Sequence, residues 1–152
     1  MMLQIAPTHW YSWDVTVTEE LRPVADIAMS WLREKGTLTI NDATYRVYRE
    51  GLMSGAFILE HAGQVLARAE KPSVFRREFV IRHAGREYSL RPESVFRRAF
   101  VLMNRSRQVG SIAPKGAFTR KAAADLPHDL PLPIRMFIVW LTMISWRRQQ
   151  QS

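Results

Sequence analysis

Residues 133 to 148 read PIRMFIVWLTMISWRR, and the eleven from Met136 to Trp146 carry no charge. Thr142 and Ser145 are the only polar residues among them, and both can return their hydroxyls to the backbone one turn back. A helix that is apolar on every side must be buried in protein or lie in lipid. From Ile134 to Trp146, thirteen residues at about 1.5 Å each reach roughly 20 Å, against a bilayer core of about 30 Å. Arg135 and the pair Arg147 and Arg148 close the two ends. The expectation is a buried central helix, with a membrane-spanning helix as the alternative.

The rest of the chain must supply what buries it. At 152 residues, 47% apolar and 24% charged, the composition is that of one folded domain covering 1–152. The chain has no cysteine, which excludes disulfides, thiolate metal sites and cysteine nucleophiles. The opening MMLQIAPTHWYSWD lacks a basic region followed by an apolar run, so no secretory leader is expected. Cytoplasmic residence is the expectation, at the membrane periphery if the basic residues bind lipid. Lys and Arg outnumber Asp and Glu by 22 to 14, for a net charge of +8. Such an excess concentrates nucleic acid, anionic lipid or acidic protein nearby, or it only keeps the protein soluble.

Residues 10 to 17, WYSWDVTV, alternate loosely and predict a strand. From Arg22 to Lys35, Val24, Ile27, Ala28, Trp31 and Leu32 fall at helical spacing, with Pro23 suited to the first turn and Gly36 to the stop. This predicts one outer amphipathic helix. Thr37 to Ile40 and Thr44 to Glu50 then predict two strands joined at Asn41-Asp42.

The middle of the chain repeats every 20 to 22 residues. AFILEHAGQVLARAEKPSVFRR (56–77), EFVIRHAGREYSLRPESVFRR (78–98) and AFVLMNRSRQVGSIAPKGAFTRK (99–121) align at Phe57, Phe79 and Phe100. They align again at Pro72, Pro92 and Pro114, and at Phe75, Phe96 and Phe118. Each HAG segment, His61–Gly63 and His83–Gly85, is a hairpin turn in which Gly is free to take positive φ. Asn104-Arg105-Ser106 fills that place in the third copy. Each repeat therefore predicts a hairpin plus a connecting piece that contributes to a further strand. Phe57 with Leu59, Phe79 with Ile81, and Phe100 with Leu102 share one face, and Glu60 and Arg82 take the other. Small residues, Ala67 with Ala69 and Ser111 with Ala113, are expected on one face of the second strands.

About ten candidate strands and a helix apolar all round have one economical arrangement, in which the sheet wraps the helix. Closure also removes the exposed edges. The fold class expected is α+β: a closed, mostly antiparallel β-barrel of about ten to twelve strands around a central hydrophobic C-terminal helix, with one outer helix.

On the phrases F-x-L/I-x-x-x-G (Phe57 to Gly63, Phe79 to Gly85), V-G-S-I at 109–112 and the hydrophobic C-terminal helix, the chain resembles the tubby-like superfamily and its LURP-one-related branch. The resemblance runs from Thr37 to Arg148. It implies a barrel around a C-terminal helix and, by analogy with tubby proteins, binding of phosphoinositides through basic residues. No position matches tubby's own lipid-binding residues, and the helix expected at Arg22 to Lys35 has no counterpart in the family.

The strongest local signal is a recurring basic pair: Arg76-Arg77, Arg97-Arg98 and Arg120-Lys121. Equivalent places in successive hairpins share one side or rim. Near an anionic membrane six such cations contribute about 1 kcal/mol each, enough for reversible attachment. The competing reading is that they solvate a barrel edge and discourage strand pairing. Arg interleaved with aromatic residues also grips single-stranded nucleic acid, but here the aromatics share the face of Leu and Ile.

His61 and His83 hold turn positions, and His9 and His128 lie in loops; no metal-binding spacing exists. Ser54-Gly55 and Ser111 lack a G-x-S-x-G context, and Gly116 stands alone, so neither a hydrolase elbow nor a phosphate loop is expected. Trp140 and Trp146 with Met136 and Met143 line either a small-molecule pocket or, far more commonly, a packed core. Arg135 must lie at a barrel mouth, where water or a carboxylate meets it. The expectation is therefore a non-enzymatic binding module without a cofactor, using the basic pairs on anionic phospholipid headgroups. The alternative is a structural or protein-interaction domain, with nucleic-acid binding ranked below both and an enzyme last.

Overall fold

In the computed structural model, residues 2–30, 32–51, 55–95, 97–116 and 119–151 are described. They form twelve strands and one helix: β1 (Met2–Pro7), β2 (Val15–Glu19), β3 (Arg22–Met29), β4 (Lys35–Ile40), β5 (Ala43–Arg49), β6 (Phe57–His61), β7 (Gln64–Glu70), β8 (Phe79–His83), β9 (Arg86–Pro92), β10 (Phe100–Asn104), β11 (Arg107–Pro114), β12 (Ala122–Asp125) and α1 (Leu132–Gln151). Each strand pairs antiparallel with its neighbour in sequence, and β1 closes the ring on β12 with Leu3 opposite Ala124. The expected closed barrel is present, with twelve strands where about ten were counted.

Alternation along the strands fills the inside. Leu3 and Ile5, Val15 and Val17, Phe57 and Leu59, Phe79 and Ile81, Tyr88 and Leu90, and Phe100 and Leu102 are all buried. From Met136 to Trp146 the helix is buried on every side, and Thr142 returns its hydroxyl to the Ile138 carbonyl at 3.0 Å. Among the described residues, no helix is long and apolar enough to cross a membrane. Trp140 packs edge-on to Phe57 at 5.8 Å and stacks on Phe137 at 6.1 Å, so the Trp and Met residues of the helix are core. Gly36 on β4 makes room for it: a Cβ there would lie 2.4 Å from the Ala28 carbonyl oxygen and 3.4 Å from Trp140 Nε1.

The outer amphipathic helix expected over Arg22 to Lys35 does not form. Arg22–Met29 is β3, with Ala25, Ile27 and Met29 facing in, and β4 begins at Lys35. Backbone pairing to β2 on one side and β4 on the other overrides the helical spacing. The strand expected at 10–17 starts only at Val15. Ser111 and Ala113 point outward while Gly110 and Ile112 face the core, because a bulge at Val109 shifts the register of β11. The same extra residue recurs at Val24 in β3 and Leu66 in β7, and all three pack partly against the core. The connecting pieces 71–78 and 93–99 hold no strand among the described residues. Trp31, Ser54, Phe96 and Phe118 lie outside the described residues.

The two ends of the barrel differ. Five two-residue turns lie at one end: 20–21, 41–42, 62–63, 84–85 and 105–106. The first residue of each has positive φ, and Gly63 and Gly85 follow with φ of 82° and 75°. His61 and His83, beside the two HAG turns, each use Nδ1 to donate to a carbonyl across the sheet, Thr44 at 3.0 Å and Leu66 at 3.1 Å. The helix starts at this end, where Arg135 donates to the Leu130 carbonyl at 3.0 Å and lies 3.9 Å from Glu19. All six longer connections lie at the other end, where the helix stops.

A candidate anion-binding rim

The described residues of the long connections 8–14, 30–34, 50–56, 71–78, 93–99 and 115–121 ring one mouth of the barrel, together with residues 147–150. These segments hold eleven Lys and Arg against five Asp and Glu. The opposite end, comprising the five tight turns and residues 126–131, holds one Arg against three Asp and Glu. All three basic pairs therefore lie on a single rim, in neighbouring connections between β7 and β8, β9 and β10, and β11 and β12.

Within each pair, however, one member is tied down. Phe57, Phe79 and Phe100 open β6, β8 and β10, so their rings form a buried layer just inside this mouth. Arg148 stands over Phe57 at 5.6 Å, Lys71 over Phe79 at 5.9 Å and Arg77 over Phe100 at 5.8 Å. Arg98 stands over Trp146 at 5.2 Å, and Arg120 over Trp13 at 5.9 Å. A cation held over a desolvated ring is worth about 1–2 kcal/mol, so these residues lid the core. Arg120 also donates to the carbonyls of Trp10 and Ser12, which fastens the connection 115–121 to 8–14 across the closing seam. Burial lowers the Arg77 guanidinium from its ordinary value. Arg76, Arg97 and Lys121, by contrast, are exposed, and Arg97 makes only a loose 3.7 Å pair with Glu93.

The chain matches no family model, no curated protein and no solved structure.

The end of the helix completes the rim. Arg147 is buried and donates to the carbonyls of Ser30 at 2.6 Å and Arg33 at 3.0 Å, while Arg148 forms a two-point ion pair with Glu34. Glu34 also meets Arg49 at 3.3 Å. Burial alone would push the Glu34 carboxyl up, but the hydrogen bond and charge of Arg148, with Arg49 and Arg147, hold it below its ordinary value. Arg147 and Arg148 thus reach the far end as expected, yet they clamp the connection 30–34 instead of emerging into solvent.

Beside them is a recess of about 430 Å³ lined by Arg49, Arg68, Lys71 and Arg148 with Glu50, Glu70, Phe57 and Val74, and Arg68 pairs with Glu50 at 3.2 Å. Burial, then Arg148, lower the Lys71 ammonium against the pull of Glu34. A larger recess of about 800 Å³ on the outer wall gathers Arg86, Arg91, Arg105 and Arg107. Glu78, Glu87 and Asp129 line it too, and Arg86 meets Asp129 at 3.3 Å. Its positive charge is largely matched, whereas the rim as a whole keeps eleven basic residues against five acidic ones.

Sequence reasoning found the three pairs but not which member of each is free, nor Lys71, Arg147, Arg148 and Glu34. The rings that hold Arg77 and Arg98, Phe100 and Trp146, lie 23 and 48 residues further on, so spacing near the pairs gave no signal.

Proposed function

We propose that the protein is a non-enzymatic binding module that docks on anionic phospholipid headgroups through this rim. The observation that carries the reading is the charge asymmetry between the two barrel ends, eleven basic to five acidic residues against one to three. Arg76, Arg97 and Lys121 are the exposed contacts in this reading, with Arg33 and Lys115 beside them on the same rim. Arg77, Arg98 and Arg120, named with them from the sequence, serve instead as positioning residues that hold the connections. Each exposed cation near an anionic surface contributes about 1 kcal/mol, which gives reversible, salt-sensitive attachment. The tubby-like resemblance supports the same reading by analogy of fold.

Liposome flotation at low salt tests it. Recovery with anionic vesicles that falls as salt rises, and no recovery with neutral vesicles, is the expected result. Equal recovery with both would leave a structural or protein-interaction domain. A steep log–log salt slope with a single-stranded oligonucleotide and no vesicle binding would favour nucleic acid instead.

A further inference from the structure

The basic rim carries a second property that headgroup binding does not require. Trp10, Leu32, Val74, Phe75 and Val95 are each more than four-fifths exposed, and all five lie in its long connections. They stand in four different connections: Leu32 and Phe75 directly precede Arg33 and Arg76, and Val95 lies two residues before Arg97. In two of them the tip is a tight turn of the same build: Arg76 N–H donates to the Ser73 carbonyl and Arg97 N–H to the Ser94 carbonyl, both at 3.4 Å. That turn thrusts Val74, Phe75 and Val95 away from the barrel. Elsewhere the large exposed apolar residues are scattered, with Leu21 alone in a tight turn at the opposite end.

Building on the headgroup reading, we infer that this rim inserts its apolar tips into the interfacial zone of an anionic bilayer. The ligand is thus a lipid surface and not a soluble anion. Apolar side chains ringed by Lys and Arg match a layer whose outside is negative and whose inside is hydrocarbon. A second copy of the chain would present the same excess of positive charge and be repelled. The outer wall is unsuited to lipid, since it carries ion pairs such as Arg46–Glu60 at 3.0 Å and Arg82–Glu87 at 3.1 Å. The barrel therefore meets the membrane end-on, long connections down, and the C-terminal helix stays inside its wall.

The chain has no cysteine, so single probes can be placed at will. Val74→Cys and Val95→Cys, each labelled with the environment-sensitive fluorophore NBD, are compared with Leu21→Cys. The vesicles are phosphatidylcholine with and without about 30% phosphatidylserine. Insertion predicts a blue shift and quenching by brominated lipid at 74 and 95, only on anionic vesicles, with none at 21. It also predicts that the triple variant V74S/F75S/V95S partitions about a hundredfold more weakly onto anionic vesicles. The same variant should elute from heparin at unchanged salt. Anionic vesicle binding with no shift at either tip, or with a triple variant that binds as well as the parent, overturns insertion and leaves headgroup binding standing. If the triple variant loses heparin and vesicle binding together, its substitutions have damaged the rim, and quenching at 74 and 95 decides: its presence supports insertion and its absence overturns it. An unsubstituted protein that ignores anionic vesicles altogether sinks both readings at once.

Discussion

A buried guanidinium is tolerated when it is hydrogen-bonded and its charge is met, and Arg147 has two backbone carbonyls with the charge of Glu34 close by. Glu34 faces three arginines there, 147, 148 and 49. Replacing it, Glu34→Gln, should cost about 1–3 kcal/mol in urea unfolding at neutral pH, because the arginines lose their counter-charge. Its folded carboxyl is held below the ordinary value, so the stability it contributes is present above that value and is lost as pH falls through the folded one. The wild-type protein should lose stability on acidification below about pH 4.5, and the Gln variant should show a shallower loss. Stability curves of the two that run parallel in acid would contradict this. A second residue-scale prediction concerns Ala62 and Ala84, which sit at φ of 51° and 48°. Asn tolerates that region and precedes Gly in the favoured turn, so Ala62→Asn and Ala84→Asn should each add about 0.5 kcal/mol and raise the melting temperature.

At the scale of elements, the helix and the hairpins were legible and β3 was not. An unbroken apolar run and a repeated Phe–x–Leu/Ile phrase each admit one reading, since nothing polar competes for the buried face. Residues 22 to 35 admit two. Ala25, Ile27 and Met29 alternate as a strand, whereas Val24, Ile27, Ala28 and Leu32 fit a helical face. The bulge at Val24 adds a residue that turns partly toward the core, and this blurs the alternation. Hydrogen bonding to β2 and β4 decides between them, and no property of the segment itself encodes those partners. The rim was legible as charge but not as geometry. Arg77, Arg98 and Arg120 take their places from Phe100, Trp146 and Trp13, the last two far away in sequence. For the helix, Trp140→Asp should abolish folding, seen as loss of near-ultraviolet circular dichroism and aggregation. A folded, soluble Trp140→Asp protein would show that the wall does not depend on what it encloses. Phe57→Ala, which leaves a void beside Trp140, should cost about 3–5 kcal/mol.

Taken whole, the molecule is a polarised cylinder, and its two ends make different predictions. Reversing the three exposed cations, Arg76→Glu, Arg97→Glu and Lys121→Glu, should weaken binding to anionic vesicles at least a hundredfold by flotation, at about 1 kcal/mol or more per site. Thermal stability should barely move, since none of the three holds a buried ring. The matching reversal on the far side, Arg105→Glu with Arg107→Glu, should leave vesicle binding intact. A loss of equal size there would point to the outer-wall recess.

The order of the elements, with the helix after all twelve strands, also governs how the barrel comes to be. A ribosome delivers β1 first and the central rod last, while β1 must finally pair with β12. Until the rod emerges, twelve strands joined by eleven hairpin connections have a greasy lining and nothing to line. Nascent chains halted before residue 132 should therefore be open to protease and dependent on chaperones. Emergence of α1 should convert them abruptly into a resistant form.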